Sequence, residues 1–254
     1  MPYVLRETAE GCVRLRLSNT VANVITLGVV QELAAELTTA ARESRAILLC
    51  GGERFFSNGL DLDWALALPR DSLRAFFLSL GDLVVQMLEM PLPIVGVIRG
   101  HAIGAAKTLF SACDYRLAAT GRVLVGVPEI QLGVPNPYFA DQLLRLVVGD
   151  TAASDLIYSG RLVPAEETLP IGLVHRVADR GEIEALAWRQ TTMMGGLPRR
   201  AFAYSKRMRT EALCERIRRN LPTSLEAFLD VWFSTDTQAL LREAAAKLSR
   251  QAAS

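Results

Sequence analysis

The chain is poor in the residues on which several common chemistries depend. It has two histidines, His101 and His175, and neither stands in a pattern suited to zinc or to a nucleophile–base–acid triad. Its four cysteines, Cys12, Cys50, Cys113 and Cys214, lie far apart, with no C-x-x-C pair and no metal spacing. They read as small buried hydrophobes of a reducing compartment. Lysine occurs only at 107, 206 and 247, so arginine carries most of the positive charge. Net charge is +1, which supplies no field for nucleic acid or an anionic membrane. No apolar run approaches the ~18 residues of a membrane span; "PLPIVGVIRGHAIGAA" is cut by Arg99. The first residues carry no basic-then-apolar signal. These absences point to a soluble, cytoplasmic protein without nucleic-acid or membrane partners.

What remains is ample apolar content, half of 254 residues, enough for a large core. The first half alternates strand and helix signals. "VRLRL" (13–17), "AILLC" (46–50), "PIVGVI" (93–98), "YRLAA" (115–119) and "VLVGV" (123–127) predict strands. Residues 27–44, 72–90 and 105–114 predict helices, and Asp61 is suited to cap another over 61–68. Helical patterning dominates after Pro135, broken by "GLVHRV" (172–177), and is continuous from about Pro198. The fold class is therefore α/β, divided into a core over residues 1–197 and a helical region over 198–254.

Three stretches are candidates for chemistry. "IRGHAIGAAKTLFSACDYR" (98–116) brings glycines up to Lys107 and Thr108, as a phosphate-cradling loop would. That loop needs glycine immediately before the lysine and again six residues before it; Ala106 and His101 occupy those places. Lys107 is better read as a partner for a nearby acid or a side chain reaching solvent. "RFFSNGLDL" (54–62) passes from a strand through a small polar turn to a helix start, where free N–H groups can face a ligand. "VGVPEIQLGVPNPYF" (125–139) embeds Glu129 in apolar sequence, either as a structural acid or as a functional one.

In order and spacing these stretches resemble the crotonase, or enoyl-CoA hydratase/isomerase, superfamily. "ANVITLGVVQEL" is similar to the segment after that family's first strand. "AILLCGGERFFSNGLDL" and "LPIVGVIRGHAIGAAKTLFSACDYRLA" resemble its two oxyanion segments, and "VPEIQLGV" and "SGRLVPAEETLPIGLVHRV" two further blocks. The resemblance implies the crotonase fold, a spiral of ββα units, with a C-terminal helical region that builds homotrimers or hexamers. Leu221, Leu225, Phe228, Leu229, Trp232 and Phe233 fit such an interface or an intramolecular core.

The implied ligand is an acyl-CoA thioester, with coenzyme A part of the substrate and no separate cofactor or metal. The backbone N–H groups of Leu60 and Ala105 would hold the thioester oxygen, where fixed donors stabilise the charge of an enolate. Family members usually have glycine where this chain has Ala105, so the methyl groups of Ala105 and Ala106 narrow the space there. Phe56, Ser57, Asn58, Gly59, Thr108, Pro137 and Tyr138 would contact substrate. Arg54 and Lys206 are candidates to meet coenzyme A phosphates, while Asp61 and Asp114 read as structural.

Hydratases of the family use two glutamates; here one of those positions is Thr108 and the other is Glu129. One carboxylate suits a proton shuttle better than addition of water. The expectation is a Δ3,Δ2-enoyl-CoA isomerase in fatty acid metabolism with Glu129 as sole acid/base. "LGVPNPYFA" (132–140) and residues 233–248 resemble the mitochondrial-type branch of such isomerases. Other enolate-forming reactions (hydration, thioester hydrolysis, decarboxylation) and a catalytically silent acyl-CoA-binding role stay open.

Overall fold

Continuous apolar strands set the architecture. In the computed structural model, which describes residues 2–253 with side chains through Leu248, β1 (Val4–Ala9) and β2 (Cys12–Leu17) pair as a hairpin. α1 (Leu27–Glu43) follows, then β3 (Ile47–Cys50), β4 (Phe55–Ser57), α2 (Leu62–Leu66) and α3 (Arg70–Glu89). Next come β5 (Ile94–Ile98), β6 (His101–Ile103) and α4 (Ala105–Ser111), then β7 (Tyr115–Ala119), β8 (Leu124–Gly126) and a 3₁₀ turn (Pro128–Leu132). α5 (Tyr138–Ser159), β9 (Leu162–Pro164), α6 (Ala165–Thr168), β10 (Arg176–Ala178) and α7 (Ile183–Gly195) lead to α8 (Arg199–Trp232) and α9 (Thr235–Ala253).

The strands divide between two sheets, ordered β1-β2-β3-β5-β7-β10 and β4-β6-β8-β9. Three successive units each place a long strand in the first sheet and a three-residue strand in the second, then run into helix. This is the expected spiral of ββα units. β3 and β5 are buried at every residue, as parallel strands covered on both faces must be. The short strands β4 and β6, by contrast, lie in stretches whose sequence reads as turns.

The helical C-terminal stretch is not a separate layer of solvated helices. Leu221, Leu225, Phe228, Leu229 and Trp232 of α8 are buried against the chain itself and share one apolar cluster with α3 and α5; Phe233 alone of the six candidate interface residues is exposed, at 37%. Phe77 of α3 packs edge-on to Phe228 and Trp232. The intramolecular alternative thus accounts for five of the six.

Lys206 is also intramolecular. Its Nζ donates to Asp114 Oδ2 at 2.8 Å, the same oxygen that accepts from Ile94 N–H at 2.8 Å. The lysine is 5% exposed and so is not free to meet a ligand phosphate. Asp114 is structural, as expected, and joins α8 to the start of β5. Replacing Lys206 by Met leaves a buried carboxylate unpaired and is expected to cost about 3 kcal/mol in urea unfolding at pH 7. The loss should shrink as the pH falls, because burial already holds the Asp114 carboxyl above its ordinary 3.8 and a protonated acid needs no counter-charge.

Candidate active site

The site forms where the second strand of each unit gives way to helix. Ser57 ends β4, and its Oγ accepts from Gly59 N–H at 3.1 Å. Gly59 takes φ +86°, and a Cβ there would lie 2.6 Å from Ile103 O. Only glycine therefore lets the first turn press against the end of β6. Asn23, from the segment before α1, donates Nδ2 to the carbonyls of Phe55 and Phe56, both at 3.3 Å, and holds the turn from the other side.

This packing frees one N–H. Ile25 N–H donates to Gly59 O at 2.7 Å, and Asp61 N–H donates to Ile25 O at 3.1 Å. Ile25 thus uses the residues on either side of Leu60, and the Leu60 N–H has no partner among the described residues. Asp61 then caps α2, accepting from Trp64 N–H at 3.0 Å.

The second turn frees another. Gly104 is the residue before α4 and takes φ 56°, ψ −119°, a combination dominated by glycine. Its N–H donates to Gly126 O and its carbonyl accepts from Thr108 N–H. Ala105 is the first helical residue, so its N–H has no intrahelical acceptor. The Cβ that Gly59 lacks would stand 3.7 Å from Ala105 N. The two unpartnered donors therefore border one spot, the arrangement that can hold a developing oxyanion.

Beside this spot lies a cavity of about 360 Å³. Its wall includes Asn58, Gly59, Leu60, Gly104, Ala105, Thr108, Glu129 and Pro137, so most of the expected site residues converge. Apart from Lys247 of α9 the remainder is apolar, including Phe76, Phe77 and Leu80 of α3, Phe139 of α5, Phe228 and Trp232 of α8, and Leu241 of α9. None of these deep residues stands out in the sequence, since an apolar stripe on a helix reads simply as core. Three expected contacts lie off the wall. Phe56 is fully buried against Phe110, Ser57 holds its own turn, and the Tyr138 hydroxyl accepts from Asn220 Nδ2 at 3.0 Å.

Glu129 is the one acid on the described wall of the cavity. The 3₁₀ turn seats its Oε1 2.8 Å from where a Cβ on Gly104 would be, beside the second donor. The residue is half-buried, but Oε2 is wholly buried with no hydrogen-bond partner. Burial raises its pKa above the ordinary 4.5, while its own backbone N–H and Lys107 pull it back. Thr108 cannot serve as a second acid; its hydroxyl donates to Gly104 O at 3.2 Å.

The other titratable groups are structural. His101 Nδ1 accepts from Leu124 N–H and His175 Nδ1 from Arg116 N–H; burial and the neighbouring Arg116 push His175 down to about 4. All four cysteines are buried and unpaired, with thiol pKa values raised by burial. Among the described residues no group of His, Cys, Asp and Glu could hold a metal ion, and no helix is long and apolar enough to cross a membrane.

A family model for enoyl-CoA hydratase/isomerase matches residues 7–248. The chain belongs to that family. The human peroxisomal bifunctional enzyme is 34% identical over 172 residues, 67% of this chain but 23% of that protein, so the match spans about a quarter of the relative's length. A probable enoyl-CoA hydratase of Bacillus subtilis (strain 168) is 32% identical over 163 residues, 63% of each chain. Among solved structures, human mitochondrial delta3-delta2-enoyl-CoA isomerase superposes with a TM-score of 0.94 over 98% of this chain and 99% of its own, at 23% identity. This family member thus has the crotonase fold, with alanine where its second donor turn meets the helix.

The Gly104→Ala variant tests the local geometry. Its methyl group would enter a disfavoured conformation and meet Glu129 Oε1. We expect a loss of about 1–3 kcal/mol in chemical denaturation, with a larger loss than for Ala106→Gly.

Proposed function

We propose that the protein is a Δ3,Δ2-enoyl-CoA isomerase. The observation that carries this reading is the single carboxyl group on the described cavity wall, Glu129, beside two free N–H donors. In the proposed reaction the thioester oxygen of a 3-enoyl-CoA accepts from Leu60 N–H and Ala105 N–H. The Glu129 carboxylate takes a proton from C2, and the electron pair spreads onto the thioester oxygen as a dienolate. The same carboxyl returns the proton at C4, giving the 2-trans-enoyl-CoA. Atoms balance without a cofactor, water or metal. The apolar cavity accepts the acyl chain, and desolvation there gives Glu129 more strength as a base than a solvated carboxylate has.

Addition of water to a 2-enoyl-CoA asks for a second group to orient the water. Thr108, engaged with Gly104 O, is not such a base. Both hydratases and isomerases occur among the relatives, so the site chemistry carries the distinction. Assembly into three or six copies belongs to the same reading; exposed Met193, Tyr204 and Met208 offer apolar surface for it.

Assaying 3-enoyl-CoA and 2-enoyl-CoA side by side tests the proposal. Isomerisation should exceed hydration, and Glu129→Gln should lower it by at least 10³-fold, a scale set by loss of a positioned acid/base. Undiminished isomerisation in that variant would sink the mechanism. The kcat/KM profile should fall on the acid side with a midpoint above 4.5, because the raised pKa keeps Glu129 protonated and unable to accept a proton to a higher pH. A midpoint at or below 4.5 would contradict the desolvated base.

A further inference from the structure

Lys107 does not reach solvent and, among the described residues, forms no ion pair within contact distance. It is 1% exposed, and its Nζ has no hydrogen-bond partner. A buried ammonium in that state is costly unless an opposite charge is close. Two acids act on it: Glu129 most strongly, then Asp141. The Asp141 carboxylate is already engaged by Arg145 Nε and Gln142 Nε2, both at 2.9 Å. Glu129 Oε2 is buried and unpartnered as well.

The two orphaned groups flank one turn of helix. Glu129 Oε1 presses on Gly104, and Lys107 stands three residues further along α4, which puts it about one turn away. On the other side of the cavity, Lys247 of α9 is occupied by Glu243 at 2.7 Å. His101 of β6 is influenced by Arg54, Arg180 and Arg122 rather than by this pair. Among the described residues, Lys107 is thus the uncommitted cation that acts on Glu129.

We propose that Lys107 is a positioning residue for Glu129, its buried ammonium keeping the carboxylate ionised in an otherwise apolar cavity. The inference rests on the reading of Glu129 as acid/base. It answers a physical difficulty in that reading: the desolvation that strengthens the base would, unopposed, leave it protonated and idle. Lys107 lies off the described cavity wall, so it can act on the charge of Glu129 without touching substrate. Burial lowers the pKa of Lys107 itself, so its charge depends in turn on Glu129.

The test compares wild type with Lys107→Met, which keeps the apolar stem and removes the charge. The acid limb of kcat/KM for 3-enoyl-CoA should move up by at least one pH unit. Below both midpoints that is about a tenfold loss, while well above them the two enzymes should agree within about threefold. An unmoved acid limb overturns the proposal. A stability cycle at pH 7 on wild type, Glu129→Gln, Lys107→Met and the double variant adds a readout independent of activity. Glu129→Gln should destabilise by leaving the ammonium alone, and adding Lys107→Met should relieve that loss. Strictly additive effects overturn the proposal. Should Lys107→Met fail to fold, Glu129→Gln alone suffices: its destabilisation should shrink as pH rises and vanish above about pH 10, where the lysine is uncharged in the unfolded chain as well as in the fold, and a pH-independent loss overturns the pairing. If Glu129→Gln keeps full isomerase activity, the acid/base reading falls, whatever the stability cycle shows about the pair.

Discussion

The close approach of two backbone turns governs this molecule. Gly59 lies so near Ile103 O that no side chain fits between them, with Ala105 N at the edge of the same contact. That contact sets the turns carrying Leu60 and Ala105 against one another on the same cavity wall, and among the described residues each N–H is left unpaired by a different local rule. Ile25 brackets Leu60 without bonding it; Ala105 opens a helix and so has no acceptor behind it. Neither donor depends on a side chain. Alanine at 105 therefore leaves the N–H in place and changes only the room beside it. The ββα repeat delivers the turns: because β4 and β6 are neighbours in the small sheet, the loops that leave them must also be neighbours.

Much of this was legible in sequence, and the parts that were not share physical causes. β3, β5 and β7 are long enough and apolar enough to read as buried strands. β4 and β6 have three residues each, fewer than a period-two pattern needs to declare itself, and they sit among glycine and polar residues that signal turns. Most of the second sheet was therefore hidden, although the turns it carries were recognisable. Glu129, Leu60, Ala105 and Thr108 were identifiable because their motifs are local. The acyl-sized cavity was not, because its deep wall is assembled from α3, α5, α8 and α9, where Phe76, Phe228 and Leu241 look like any other core residues. Tyr138 shows the reverse error: an aromatic residue next to the site turns its hydroxyl to Asn220 instead.

Lys107 is the residue whose meaning changed most. By spacing it fails as a phosphate-binding lysine, and on the surface of a helix it would have been unremarked. Burial makes it consequential. The same burial acts oppositely on an acid and on an amine, disfavouring the charged form of each. Glu129 in its 3₁₀ turn and Lys107 in α4 would each favour the charged form of the other, and on the proposed pairing the electrostatics of the site are set by the two together.

The C-terminal helix gives the cavity an unusual standing in the fold. α9 is tied to the loop after Glu129, with Thr237 Oγ1 donating to Gly133 O at 3.1 Å, and it supplies Leu241 to the cavity wall. Residues lining the cavity thus run from Asn58 to Leu248, across most of the chain. An acyl group lodged there would be enclosed by apolar side chains from α3, α5, α8 and α9 and would complete a gap in the hydrophobic interior. Occupancy and integrity are then two measures of one equilibrium: whatever fills the cavity also fastens the last helix to the body of the protein.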